Sequence, residues 1–150
     1  MANTYFCLNV HLVFSVKERA ALIQPEWRPR LWAYLGGIAR EHQLVALEVG
    51  GTANHVHVLL SLSTDMAVAK AVQLLKGNSS KWIHETIRPP QRFEWQEGYG
   101  AFSVGVSQIE ATRAYIRNQE EHHRGKTFEE EYRAFLQKHG VVFDEKYVWG

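Results

Sequence analysis

The chain has 150 residues, 45% of them apolar and 22% charged, an ordinary composition for a folded soluble protein of one domain over residues 1–150. The single cysteine, Cys7, excludes an intramolecular disulfide and a multi-thiolate zinc site, and it fits a reducing compartment. A formal net charge of +1 excludes a uniformly basic nucleic-acid binder. With no leader segment recognisable and no apolar run near the roughly 20 residues that span a bilayer, the expectation is a cytoplasmic protein without membrane contact.

Residues 4–16 are β-branched and aromatic and predict a long first strand, with Asn9 and His11 on the face opposite Val10, Leu12 and Phe14. Pro25 and Pro29 lead into a helix reaching about His42, whose apolar stripe is Leu31, Leu35 and Ile38. Gly36-Gly37 either interrupts that helix or marks close packing on a sheet. A second strand is expected over Leu44 to Val49, a turn over residues 50–54, and a third strand over His55 to Leu60. Ser63, Thr64 or Asp65 would cap a helix carrying Val68, Val72 and Leu75, with Gly77 to Ser80 as a candidate interruption. Phe93 to Gly100 looks like a loop and Ala101 to Val106 like a fourth strand. Ser107-x-x-Glu110 and Thr127-x-x-Glu130 are capping-box patterns, opening helices over about 108–123 and up to Gly140. The apolar tail from Val141 to Trp149 is expected to dock. The order of elements suggests an α+β fold: a ferredoxin-like, split βαβ antiparallel sheet with helices on one face, plus C-terminal helices.

Two stretches carry chemistry. In Asn54-His55-Val56-His57-Val58, the strand period of two puts both imidazoles on one face, placed to share a metal ion or, more blandly, to sit as satisfied polar residues at a sheet rim. In Tyr115-Ile-Arg-Asn-Gln119-Glu-Glu-His122-His123, helical spacing makes Tyr115, Gln119 and His122 or His123 one polar stripe. A tyrosine hydroxyl beside a metal-held phosphate suits covalent phosphoryl transfer, since free tyrosine, with a pKa of about 10, is a poor nucleophile at neutral pH. Two imidazoles and a carboxamide oxygen, with positions left for substrate, suit Mg²⁺ or Mn²⁺ better than a closed zinc site.

Together with Gly98-Tyr-Gly-Ala-Phe-Ser-Val104 and His11-Leu-Val-Phe-Ser15, these stretches resemble the single-tyrosine HUH transposases of the insertion sequence 200/605 family and their domesticated relatives associated with repetitive extragenic palindromes. The resemblance implies His55 and His57 as metal ligands, Gln119 as the third ligand and Tyr115 as nucleophile. It further implies cleavage and rejoining of single-stranded DNA at hairpin-marked ends through a 5′-phosphotyrosine, and a homodimer in which active sites can be shared between subunits.

Charge adds candidate DNA contacts. Residues 17–40 carry Lys17, Arg19, Arg28, Arg30 and Arg40 against two acids, and residues 65–92 are likewise basic, as a phosphate-binding face or as scattered solvated charge. Lys76, Asn78, Ser79, Ser80 and Lys81 are candidates to grip DNA backbone, and His122 and His123 to contact phosphate or the metal's surroundings. Trp82, Trp95 and Tyr99 are candidates to stack bases, or core filling. Tyr132, a rival nucleophile, is discounted because Glu129, Glu130 and Glu131 beside it would repel phosphate. Two other functions compete: a non-catalytic hairpin-binding regulator, and a phosphodiesterase using water, which lacks the carboxylates expected of two-metal chemistry.

Overall fold

A computed structural model describes residues 3–149. Four antiparallel strands form one sheet, β1 (Asn9–Ser15), β2 (Val45–Gly51), β3 (His55–Ser61) and β4 (Gly100–Ser103), in the order β2-β3-β1-β4. Helix α1 (Arg28–Glu41) connects β1 to β2, and α2 (Val68–Trp82) connects β3 to β4, which is the expected split βαβ topology. The alternation of β1 and β3 sends Leu12, Phe14, Val56, Val58 and Leu60 to one face, where Leu31, Leu35 and Ile38 of α1 and Val72 and Leu75 of α2 cover them. The other face carries His11, Val13, His55 and His57, all buried.

That second face is covered by the C-terminal third of the chain. After one 3₁₀ turn (Val106–Gln108) come α3 (Ile109–Arg117), the short α4 (Gln119–His122) and α5 (Phe128–Lys138). Phe128, Tyr132 and Leu136 of α5 pack with Val13 and Phe102 as a second apolar cluster. The tail docks as expected: Trp149 packs on Tyr132, ring centroids 5.7 Å apart.

Several boundaries differ from the sequence-based expectation. β1 begins at Asn9, because its neighbours β3 and β4 end opposite Asn9 and Val10 and leave residues 4–8 no strand to pair with. β2 runs through Gly50 and Gly51, so the turn shrinks to residues 52–54. Neither candidate interruption breaks its helix: α1 is continuous across Gly36-Gly37, which pack closely against nothing on the sheet, and α2 is continuous across Gly77 to Ser80. α2 starts after Ala67 without a side-chain cap, while the Ser63 hydroxyl donates to Asp65 instead. β4 is Gly100–Ser103, short of the expected Val106. Of the two capping boxes, only Thr127/Glu130 forms; Ser107 lies inside the 3₁₀ turn. The helix expected to run to His123 breaks at Asn118 (φ −98°, ψ 24°), which separates α3 from α4.

Candidate active site

Gly50 is the packing device that brings α3 onto the histidine strand. It pairs with His57 in the β2–β3 register, and a Cβ there would collide with the backbone carbonyl of Ile116. Without a side chain, the sheet admits the α3 backbone one residue after Tyr115, and the phenol lies over the histidine pair, its ring centroid 5.8 Å from that of His57. The contact is made within one chain.

Both strand histidines are oriented from behind. His55 Nδ1 donates to Asn54 Oδ1 at 2.8 Å, with Thr52 Oγ1 at 3.1 Å, and His57 Nδ1 shares a hydrogen with His11 Nε2 at 2.7 Å. Each ring therefore presents Nε2 to the same point. His55 Nε2 lies 2.9 Å from Gln119 Oε1, and His57 Nε2 lies 3.0 Å from Glu131 Oε1. Fixing one ring nitrogen through a polar partner so that the other faces a common centre is how proteins prepare imidazole ligands. Burial lowers the pKa of His55 and of His11 well below the ordinary imidazole range, with His57 next to each adding to the effect. Both rings are thus held neutral, the form that binds a cation.

Glu131, on α5, is the residue that sequence reasoning missed and had read as repelling phosphate. It is 2% exposed and joins the two halves of the site. Oε1 faces His57, His55 at 3.5 Å and His123 at 3.2 Å, while Oε2 accepts from the Tyr115 hydroxyl and from Gln119 Nε2 at 3.1 Å. Burial pushes the carboxyl upward, but the close imidazoles of His123 and His57 outweigh it and hold Glu131 well below the usual carboxylate range. The signal was available: Glu131 falls on the inward stripe Phe128, Tyr132, Phe135, where a charge has no reason to be unless partnered.

Burial first, then the Glu131 charge, raises the Tyr115 hydroxyl above the ordinary tyrosine value. His122 Nε2 lies 3.3 Å from that hydroxyl. A cavity of about 310 Å³ opens onto it, lined by Gln108, Tyr115, His122, Glu131 and Phe135 with Lys126 and Lys138 among its walls. His123 turns inward: its Nδ1 donates to the Lys126 carbonyl at 2.6 Å, which aims Nε2 at the histidine pair. Among the described residues, that nitrogen is the buried side-chain polar atom without a hydrogen-bond partner, since its approach to Glu131 is not aligned for one. Burial works to lower the His123 pKa, and the adjacent carboxylate raises it on balance. The two strand imidazoles, a carboxamide oxygen, a carboxylate and an orphaned imidazole nitrogen form a donor set that fits a divalent ion.

The other candidates fall elsewhere. Lys76 is committed inside the molecule, where Nζ donates to the carbonyls of Gln96 (2.7 Å), Gly98 (2.6 Å) and Glu97 (3.3 Å). Ser79 is fully buried, accepts the Trp95 indole hydrogen at 3.0 Å and cannot reach DNA. Asn78 and Ser80 are half-buried and Lys81 exposed, on the same helix. Trp82 stacks on Tyr34 and Trp95 is buried, whereas Tyr99 is partly exposed. Tyr132 is a core residue, 5% exposed and against Gly100, so it is no rival nucleophile.

Comparison with known proteins bears on the family and the fold. The chain is 28% identical over 124 residues to the transposase for insertion sequence element IS200 of Salmonella typhimurium, covering 79% of this chain and 81% of that one. It is also 28% identical over 119 residues to the ISDra2 transposase TnpA of Deinococcus radiodurans, covering 75% and 84%. Two solved structures share the fold. One is a protein of Deinococcus radiodurans assigned as a transposase (TM-score 0.64, 22% identity, 79% of this chain and 95% of that one). The other is a REP-associated tyrosine transposase bound to a REP hairpin (TM-score 0.59, 12% identity, 82% and 73%). The family model described as "Transposase IS200 like" matches residues 4–119, from the segment before β1 to the first residue of α4, and the chain belongs to that family.

Proposed function

We propose that the protein cuts and rejoins single-stranded DNA at hairpin-marked ends, with Tyr115 as nucleophile and a divalent ion held by His55, His57 and Gln119. The observation that carries this reading is the convergence, in one chain, of the Tyr115 hydroxyl, the Gln119 carboxamide and the imidazoles of His55 and His57. When bound, the ion supplies charge stabilisation and orientation at the scissile phosphate. Glu131 Oε2 already accepts the phenol hydrogen and takes it as Tyr115 Oη forms the bond to phosphorus. The bond from phosphorus to the 3′ oxygen breaks, and that oxygen leaves as a hydroxyl with a proton from solvent. The DNA 5′ end remains on Tyr115, and attack by another 3′ hydroxyl reverses the step. Lys126 and Lys138, at the cavity, are placed to meet DNA backbone, and Asn78, Ser80 and Lys81 of α2 offer a further contact line.

The Tyr115–His57 approach supports a cutting site assembled within one subunit, and rejoining two ends calls for two such sites in a homodimer, where the tyrosine helix can also serve the partner's histidine pair. The test is a labelled hairpin oligonucleotide with a single-stranded flank, incubated with Mn²⁺ or with chelator and resolved by denaturing electrophoresis. The expected result is a protein–DNA adduct that requires the ion and is absent in Tyr115→Phe. Binding of the hairpin without any adduct would instead mark a DNA-binding regulator, and cut DNA with no adduct a hydrolase.

A further inference from the structure

We infer that Glu131 and His123 are also ligands of the cation, and that they make this a site for a borderline transition ion such as Mn²⁺, Co²⁺ or Zn²⁺ rather than for Mg²⁺. The inference rests on the reading above that a cation sits at the histidine pair. It changes which ion that is, and which part of the chain holds it.

Four donor atoms, one each from His55, His57, His123 and Glu131, lie within 4.8 Å of one another. Ions of this class are bound by imidazole nitrogen and carboxylate oxygen at roughly 2.0–2.2 Å, so adjacent donors around one ion stand a little over 3 Å apart. His57 Nε2 at 3.0 Å, His123 Nε2 at 3.2 Å and His55 Nε2 at 3.5 Å from Glu131 Oε1 are already at that spacing. The two added donors are held as firmly as the strand pair. His123 is locked through Nδ1 to the Lys126 carbonyl, which leaves Nε2 aimed inward and unpartnered. Glu131 sits one residue after the Thr127/Glu130 capping box, whose reciprocal hydrogen bonds fix the first turn of α5.

The carboxylate divides its work. Oε1 faces the three imidazoles and is the atom offered to the ion, while Oε2 faces Tyr115 and Gln119 and keeps its role toward the phenol hydrogen. With the Gln119 carboxamide oxygen the set is three nitrogens and two oxygens, a poor match for Mg²⁺, which demands near-octahedral oxygen coordination and keeps several waters. The same set is well matched to ions that accept imidazole readily and tolerate four or five ligands. Both added ligands come from beyond residue 119, where the match to the family model ends.

The test is metal binding, read without DNA. Full-length protein is stripped with chelator, and Co²⁺ is titrated in while its visible absorption is followed; Zn²⁺, Mn²⁺ and Mg²⁺ are then compared by calorimetry and by competition against Co²⁺. One ion should bind per chain, Mg²⁺ should fail to displace Co²⁺, and Glu131→Gln and His123→Gln should each weaken Co²⁺ binding by about tenfold or more, the scale seen when a ligand's support is removed. Circular dichroism checks folding; if Glu131→Gln does not fold, His123→Gln decides, because His123 lies at the end of a short helix outside the apolar clusters. Wild-type affinity in the folded variants, or preferential Mg²⁺ binding, overturns the inference and leaves His55, His57 and Gln119 standing. If no divalent ion binds wild type at all, the cation reading itself falls.

Discussion

The Tyr115 hydroxyl donates to the Glu131 carboxylate, a contact between α3 and α5 that closes the site from the side opposite the sheet. Burial and that neighbouring charge both favour the protonated phenol, so its pKa is raised above the ordinary value. The group is therefore fully protonated in folded and unfolded chains below about pH 10, and above that the unfolded chain loses its proton first. Stability contributed by this contact should fall as pH rises past about 10. In alkaline unfolding monitored by circular dichroism, Tyr115→Phe should lose stability less steeply than wild type. Ultraviolet difference titration should show no Tyr115 phenolate at the pH where exposed tyrosines ionise. A normal tyrosine titration there would contradict the buried contact.

Gly50→Ala should displace α3. The new methyl group meets the Ile116 carbonyl, which is backbone and cannot rotate away, so α3 must shift. Overpacking of this kind costs about 1–3 kcal/mol, and it moves Tyr115 off the histidine pair. Thermal unfolding should report the destabilisation, and adduct yield should drop by more than the unfolded fraction explains. Gly37→Ala, on the open side of α1, serves as the comparison and should be neutral or mildly stabilising.

Asn54→Ala removes the acceptor that sets the orientation of His55. The ring loses the partner that keeps Nε2 toward the centre, and metal affinity should weaken about 10- to 100-fold, as for other supports of ligating histidines. Calorimetric titration with Mn²⁺ checks this. Unchanged affinity would show that strand geometry alone orients the ring.

Lys76→Met should loosen the segment around Gly98 rather than weaken DNA binding. Three backbone carbonyls lose their shared donor, at a cost of about 1–3 kcal/mol for the group. Burial lowers the Lys76 pKa from 10.5 to about 8, against the opposing charge of Glu97. Between those values the unfolded chain holds a proton that the folded chain lacks, so this residue's contribution makes stability rise with pH across that window. The variant should flatten that rise in denaturant titrations at successive pH values, with hairpin affinity unaltered.

Much of this arrangement is legible in the chain because it rests on local rules. Strand alternation puts His55 and His57 on one face, helical spacing puts Gln119 one turn after Tyr115, and the Thr127/Glu130 box forms as its pattern suggests. What escapes depends on contacts between distant segments. Glu131 is seventy-four positions from the histidine it bonds, and in a run of three glutamates it looks like a solvated face. Gly50 and Gly51 look like a turn, yet they are strand residues whose missing side chains make room for α3 and the His55 carbonyl. Lys76 looks like a free cation on a helix, and only the fold shows the carbonyls it spans.

The break at Asn118 places the phenol and the carboxamide on separate rods that meet at one residue. Under the proposed mechanism, rotation about that joint would change the separation of nucleophile and ion. Stiffening it with Asn118→Ala, a better helix former, should slow adduct formation while leaving ion affinity intact. Under that mechanism, the bend would set how far an attached DNA end can travel from where it was cut.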